Sequence, residues 1–244
     1  MAELLASPVV AAFGRQPYLG LGLLILAFGL AWLAFVPARP RPALWAALAA
    51  APFGLFEYLF YVPEYWTPEQ WRWSWVGLSD LVFTFAAGGV AWLLATAPCR
   101  GRLSVSWRRR RVVRRFVGCT VIGLALAVTI WRVGLPMYLA SLLAMWIGWA
   151  AVTWRFGRLR WLGLVGGPAF AAFYLAVLRL AFELAPGFHQ QWNWATLSGV
   201  TWAGIPIEEA LWALTFGAVW PSFMAYVLDA RRVLGEEGGA VARA

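Results

Sequence analysis

Seven long apolar stretches set the terms on which this chain can fold. They run near Tyr18 to Val36, Ala43 to Phe60, Leu78 to Ala97, Phe116 to Trp131, Pro136 to Thr153, Trp161 to Leu184 and Pro206 to Leu228. About 20 apolar residues carry a helix across a bilayer, so seven crossings use roughly 140 residues and leave only short loops. In a chain of 244 residues that leaves no room for a separate soluble domain. Hydrophobic residues make up 62% and charged residues 13%, a balance too apolar for a soluble domain of this size. The expected fold is all-α: a polytopic membrane helix bundle of about seven transmembrane helices, one integral-membrane domain over residues 1–244. The first stretch has no substantial basic leader and no small-residue cleavage site before Pro37, so it reads as a span and not as a signal peptide.

All 20 basic residues are arginine. Without lysine there is no Schiff-base chemistry and no retinal-type attachment. Arg39 and Arg41 fall in the first loop, eight arginines from Arg100 to Arg115 in the third, Arg155, Arg158 and Arg160 in the fifth, and Arg231, Arg232 and Arg243 in the tail, so 16 lie on one side. Arg15, Arg72 and Arg132 lie on the other, with Arg179 inside the sixth span. Cytoplasmic loops retain positive charge during insertion, which predicts a multi-pass cell-membrane protein with its amino terminus outside and residues 229–244 as a cytoplasmic tail. The net charge of +9 is then topogenic and invites membrane lipids, not nucleic acid.

The acids are distributed the opposite way. Glu57, Glu64, Glu69, Asp80, Glu183, Glu208 and Glu209 all fall at the outer ends of spans or in two outer loops. Carboxyl groups are costly to desolvate, so their gathering at one end of a bundle points to a polar site there. Two regions share an order of residues. Phe56-Glu57 precedes Trp66 and then Ser79-Asp80 at a helix start; Phe182-Glu183 precedes Trp192 and then Glu208-Glu209 at a helix start. Glutamate and tryptophan are nine residues apart in both. This predicts an internal repeat, with halves at 18–97 and 116–228, that brings two related half-sites together. Consecutive helical residues point about 100 degrees apart, so Glu208 and Glu209 cannot face the same cavity wall.

Plainer roles compete at each position. Glu208 and Glu209 follow Pro206, where carboxylates and proline stabilise a helix start. Single tryptophans anchor spans at the headgroup level. Arg179 and Glu183, four residues apart, suit an ion pair. His189 has no second histidine near it and the cysteines Cys99 and Cys119 do not cluster, so no metal site is expected. Gly20-Leu21-Gly22 lies in a span without the context of a dinucleotide fingerprint, and no flavin or other cofactor is expected. There is no nucleophile elbow and no aspartate-rich diphosphate motif, which weakens hydrolase and prenyl-transfer functions.

The segment Gly204-Ile205-Pro206-Ile207-Glu208-Glu209-Ala210-Leu211-Trp212, preceded by Trp192-Asn193-Trp194, resembles the Pro-x-Glu-Glu motif of the lycopene cyclase domain family, in its fused two-copy form. These are integral-membrane carotenoid cyclases. The likeness covers most of residues 18–228. In the first copy Ser79-Asp80 stands where the family pattern has an acidic pair, and Val76-Gly77-Leu78 lacks the proline. The resemblance implies a redox-neutral intramolecular lyase or isomerase that closes a ring at the end of a linear carotenoid such as lycopene. Glu209 and Asp80 are then the expected acid and base, Glu208 supports one of them, and Glu57 and Glu183 stand behind. Trp66, Trp192, Asn193, Trp194, Trp202 and Trp212 are the expected substrate-binding residues, the ring faces stabilising a carbocation. A carotenoid or other isoprenoid lipid is the expected substrate, and other carotenoid biosynthesis enzymes are expected partners. The alternative is a non-catalytic membrane protein, related to the cyclases, that binds such a lipid.

Overall fold

The computed structural model describes residues 13–35, 40–69, 72–73, 76–99 and 103–232. Arg39, Arg100, Arg102, Arg243, Glu3, Glu236, Glu237 and the tail past residue 232 lie outside the described residues. Within them the chain forms eight helices: α1 (Pro17–Phe35), α2 (Pro40–Ala50), α3 (Glu57–Phe60), α4 (Leu78–Thr96), α5 (Arg109–Arg132), α6 (Met137–Arg155), α7 (Arg160–Leu184) and α8 (Ile207–Val227). Seven segments are long and apolar enough to cross a membrane, α2 and α3 sharing one of them through a 3-10 turn at Ala51–Phe56. The chain is a polytopic helical membrane protein, as its apolar stretches predict. Many large apolar side chains point outward, among them Leu30, Ile122, Trp154 and Leu164, which is how a lipid-facing surface is built.

Two boundaries depart from the sequence expectation. α5 begins at Arg109 instead of Phe116, because arginine is a good helix former and hydropathy marks only the apolar part of a helix. The second span is also broken. Pro52 lacks the N–H that an α-helical bond would need, and the chain tightens into 3-10 turns before resuming as α3. Thr84 answers the exposed carbonyl of Ala51 with its hydroxyl at 3.1 Å. Beside it Gly54 lies so close to α4 that an added Cβ would sit 2.6 Å from the Asp80 carbonyl oxygen. This approach sets Glu57, the first residue of α3, against the first turn of α4.

α4 is the most enclosed span and packs on α1, α2 and α7, while α8 packs on α7 and α6. α5 packs on α6 but is the least enclosed span, burying only Val112 and Ala127. Small residues mark the tight crossing of α7 and α8, where a Cβ on Gly166 would meet the Gly217 carbonyl oxygen at 2.4 Å.

Three short antiparallel hairpins or bridges complete the fold. β1 (Arg72–Trp73) pairs with β2 (Val76–Gly77) and leads directly into α4. β3 (Leu103–Ser104) pairs with β6 (Arg231–Arg232). β4 (Thr201–Trp202) pairs with β5 (Ile205–Pro206) and leads into α8. Ala203 and Gly204, at φ 51° and 79°, form the two central positions of the β4–β5 turn, the left-handed pair that a two-residue hairpin needs. Both helices that open on the acidic motifs are therefore entered from a hairpin.

Candidate functional site

Trp66 and Trp192 form the centre from which the site is built. They face each other as an isolated antiparallel bridge, their rings 5.4 Å apart. The neighbouring backbone bonds are reciprocal: Thr67 N–H donates to the Gln191 carbonyl at 2.7 Å, and Asn193 N–H to the Tyr65 carbonyl at 2.9 Å. The loop after α3 and the loop after α7 are thus joined by backbone bonds in both directions. Thr196 and the Asn193 amide tighten the join, the latter donating to the Pro63 carbonyl at 3.3 Å.

Two acidic nests flank the tryptophans. Glu209, in the first turn of α8, receives three donors. Tyr65 hydroxyl and Trp192 Nε1 reach its Oε1 at 2.9 and 2.8 Å, and Tyr174 hydroxyl reaches its Oε2 at 2.9 Å. These come from the two joined loops and from α7, so Glu209 ties three parts of the chain together. Burial, and next the charge of Glu209, holds the Tyr65 hydroxyl well above its ordinary range, so it stays a donor. Tyr61, bonded to Ser141 Oγ at 3.1 Å, is pushed up to about 12 by burial.

The second nest lies at the junction of α3 and α4. Glu57 is buried, accepts from the Tyr18 hydroxyl at 3.2 Å, and also meets the side chains of Asp80 and Trp66. Asp80 is 1% exposed, and Ser79 beside it is fully enclosed. Tyr18 packs its ring edge-on against Trp66 at 4.6 Å.

Both nests open on one cavity of about 540 Å³. Glu57 and Glu209 line it at the end where the loops close; Arg155 and Tyr226 line it at the other. Its walls are overwhelmingly apolar and aromatic. Trp212, Phe216 and Trp220 form a stacked ladder along α8, with ring separations of 5.2 and 5.8 Å. α8 contributes 21 residues, about 30 Å of helix, between the acidic end and Asp229. There Asp229 gathers Arg111, Arg115, Arg158 and Arg231. Glu57, Glu208 and Glu209 therefore stand at one end of the bundle and this arginine cluster at the other.

Among the residues singled out by sequence, Glu209, Glu57, Trp66, Trp192 and Trp212 come together on the cavity wall. Asp80 stands directly behind Glu57. Glu208 turns away from Glu209, as adjacent helical positions must, and accepts from the Ser198 backbone N–H at 2.7 Å. Glu183 does not join the site: its side chain is 61% exposed and pairs with Arg179 one turn earlier. Glu64 accepts the Met137 N–H at the start of α6. Trp194 bonds the His189 carbonyl, and Trp202 is 62% exposed on the β4–β5 hairpin; neither lines the cavity. Asn193 serves the loop junction. Three residues were missed, Tyr18, Tyr65 and Tyr174. A tyrosine hydroxyl within an apolar helix must find a polar partner, and that signal was available at Tyr18 and Tyr174. Among the described residues, no three His, Cys, Asp or Glu side chains are grouped to hold a metal ion.

No family model, curated protein or solved structure matches the chain.

Proposed function

We propose that this protein is a redox-neutral cyclase that closes a ring at one end of a linear isoprenoid polyene such as lycopene. One observation carries the proposal. Two separate carboxyl groups, Glu57 and Glu209, face a single membrane-embedded cavity otherwise walled by apolar and aromatic side chains. Ring closure needs a proton delivered to the terminal double bond, attack by a neighbouring double bond on the resulting cation, and removal of a ring proton. A proton donor, a proton acceptor and a dry chamber between them meet those needs without a redox partner. Trp66, Trp192 and Trp212 offer ring faces to the cation, an interaction worth up to about 2 kcal/mol when desolvated.

The cavity suits an extended apolar substrate, since it runs from the acids to Arg155 and Tyr226. Such a lipid enters from the bilayer, and α5, the least enclosed span, is the wall that can yield. The hairpins before α4 and α8, and the reciprocal bonds at Trp66 and Trp192, support the view that two related copies of one half-site are fused in this chain. The arginine end then faces the cytoplasm and the acidic chamber lies toward the outer face.

The test is pigment conversion in a lycopene-accumulating bacterial host. The intact chain is expected to yield cyclic product, and Glu57→Gln at equal membrane expression to lose about 100-fold or more of it. Absence of any conversion by the intact chain, with the polyene retained on the purified protein, replaces the cyclase with a carotenoid-binding protein.

A further inference from the structure

We propose that the two nests divide the proton transfers, Glu57 delivering the proton that starts ring closure and Glu209 removing the proton that ends it, a division that rests on the cyclase function proposed above. Every described neighbour bonded to Glu209 is a donor. An indole N–H can only donate, and Tyr65 and Tyr174 both direct their hydroxyls at the carboxyl oxygens. Three such bonds stabilise the carboxylate form and make Glu209 the better proton acceptor of the two. Glu57 also accepts from Tyr18, but unlike Glu209 it has a second carboxyl pressed against it. Its carboxyl meets that of Asp80, and two carboxyls in contact away from water share one proton, because two adjacent charges there repel strongly. Glu57 lines the cavity and Asp80 does not, so the shared proton leaves from Glu57. Asp80 acts as a positioning residue behind it.

The step balances. The O–H bond of Glu57 breaks as a C–H bond forms at the terminal alkene carbon, and the tertiary cation is captured by the neighbouring double bond. A ring C–H bond then gives its proton to Glu209, its electron pair forming the new double bond. Glu57 has lost one proton and Glu209 gained one, and the cycle resets when Glu209 releases its proton and one returns to the Glu57–Asp80 pair. Trp66 and Trp192, their rings tilted against each other at 5.4 Å between the nests, stand where the cation travels.

The two roles leave different products. In proteoliposomes supplied with an acyclic polyene, Glu57→Gln is expected to stop substrate consumption by about 100-fold or more. A terminal epoxide analogue, which a weaker acid opens, restores ring closure to that variant. Glu209→Gln is expected to keep consuming substrate at a reduced rate, yielding rings with a displaced double bond or an added hydroxyl from water. Asp80→Asn lowers turnover without changing the product, and Asp80→Glu recovers part of the rate. Normal product from Glu209→Gln, loss of all its consumption, or displaced products from Glu57→Gln overturns the division. Those outcomes are read only against an intact chain that cyclises the polyene; an inactive intact chain overturns the cyclase function itself.

Discussion

Glu209 shows how a carboxyl group becomes tolerable inside a bundle: its cost is offset by donors arriving from three parts of the chain. Hydrogen bonds to a charged group contribute about 1.5–3 kcal/mol each. Tyr65→Phe and Tyr174→Phe are therefore each expected to slow conversion roughly 10-fold or more at equal membrane insertion, and the double variant further. Unchanged rates in both would mean that the hydroxyls do not hold the carboxylate for its work. The acids themselves were legible in the sequence because a carboxyl group at a membrane helix end is costly unless something there uses it. Glu183 shares that logic and lies apart, since Arg179 one turn away compensates its charge locally. Of the two tyrosines nearest Glu209, Tyr174 shows its need of a polar partner by lying amid an apolar helix, Tyr65 in a loop does not, and only the packing aims both at one carboxyl.

Helices were legible as apolar runs, but their points of contact were not. The α7–α8 crossing depends on Gly166 and Gly217, whose backbones touch so closely that any Cβ strikes a carbonyl oxygen. Overpacking of this kind costs about 1–3 kcal/mol, and a backbone atom cannot swing aside as a flexible side chain does. Gly166→Ala is expected to lower the thermal midpoint in detergent, whereas Gly118→Ala, where an added Cβ meets nothing within 4 Å, leaves it unchanged or slightly raised. Equal midpoints for the two variants would show that the crossing is loose. The same reasoning explains the broken second span. Pro52 and Gly54 carry the signal for a 3-10 turn, yet only the position of α4 reveals what the turn accomplishes, which is to press Glu57 against Asp80.

At the scale of the whole molecule the charges sort by end. Asp229 and its four arginines lie beyond the last turn of α8, and Glu208 and Glu209 begin its first. Sequence alone separated the two groups because loops alternate sides with each span, a rule that needs no tertiary contact. What it could not supply was the backbone pairing of the two loops at Trp66 and Trp192, since reciprocal backbone bonds leave no trace in residue type. The sorting has a consequence for insertion. Arginine-rich loops stay cytoplasmic, so a reporter active only in the cytoplasm and fused after Arg232 is expected to be active, while one fused near His189 is silent. The opposite pattern would put the acidic chamber on the cytoplasmic side and its proton supply in contact with the cytoplasm. Reducing the charge of the loop before α5, by replacing Arg108, Arg109 and Arg110 with glutamine, should then shift a fraction of molecules toward the inverted pattern, because that loop carries the densest run of arginine in the chain.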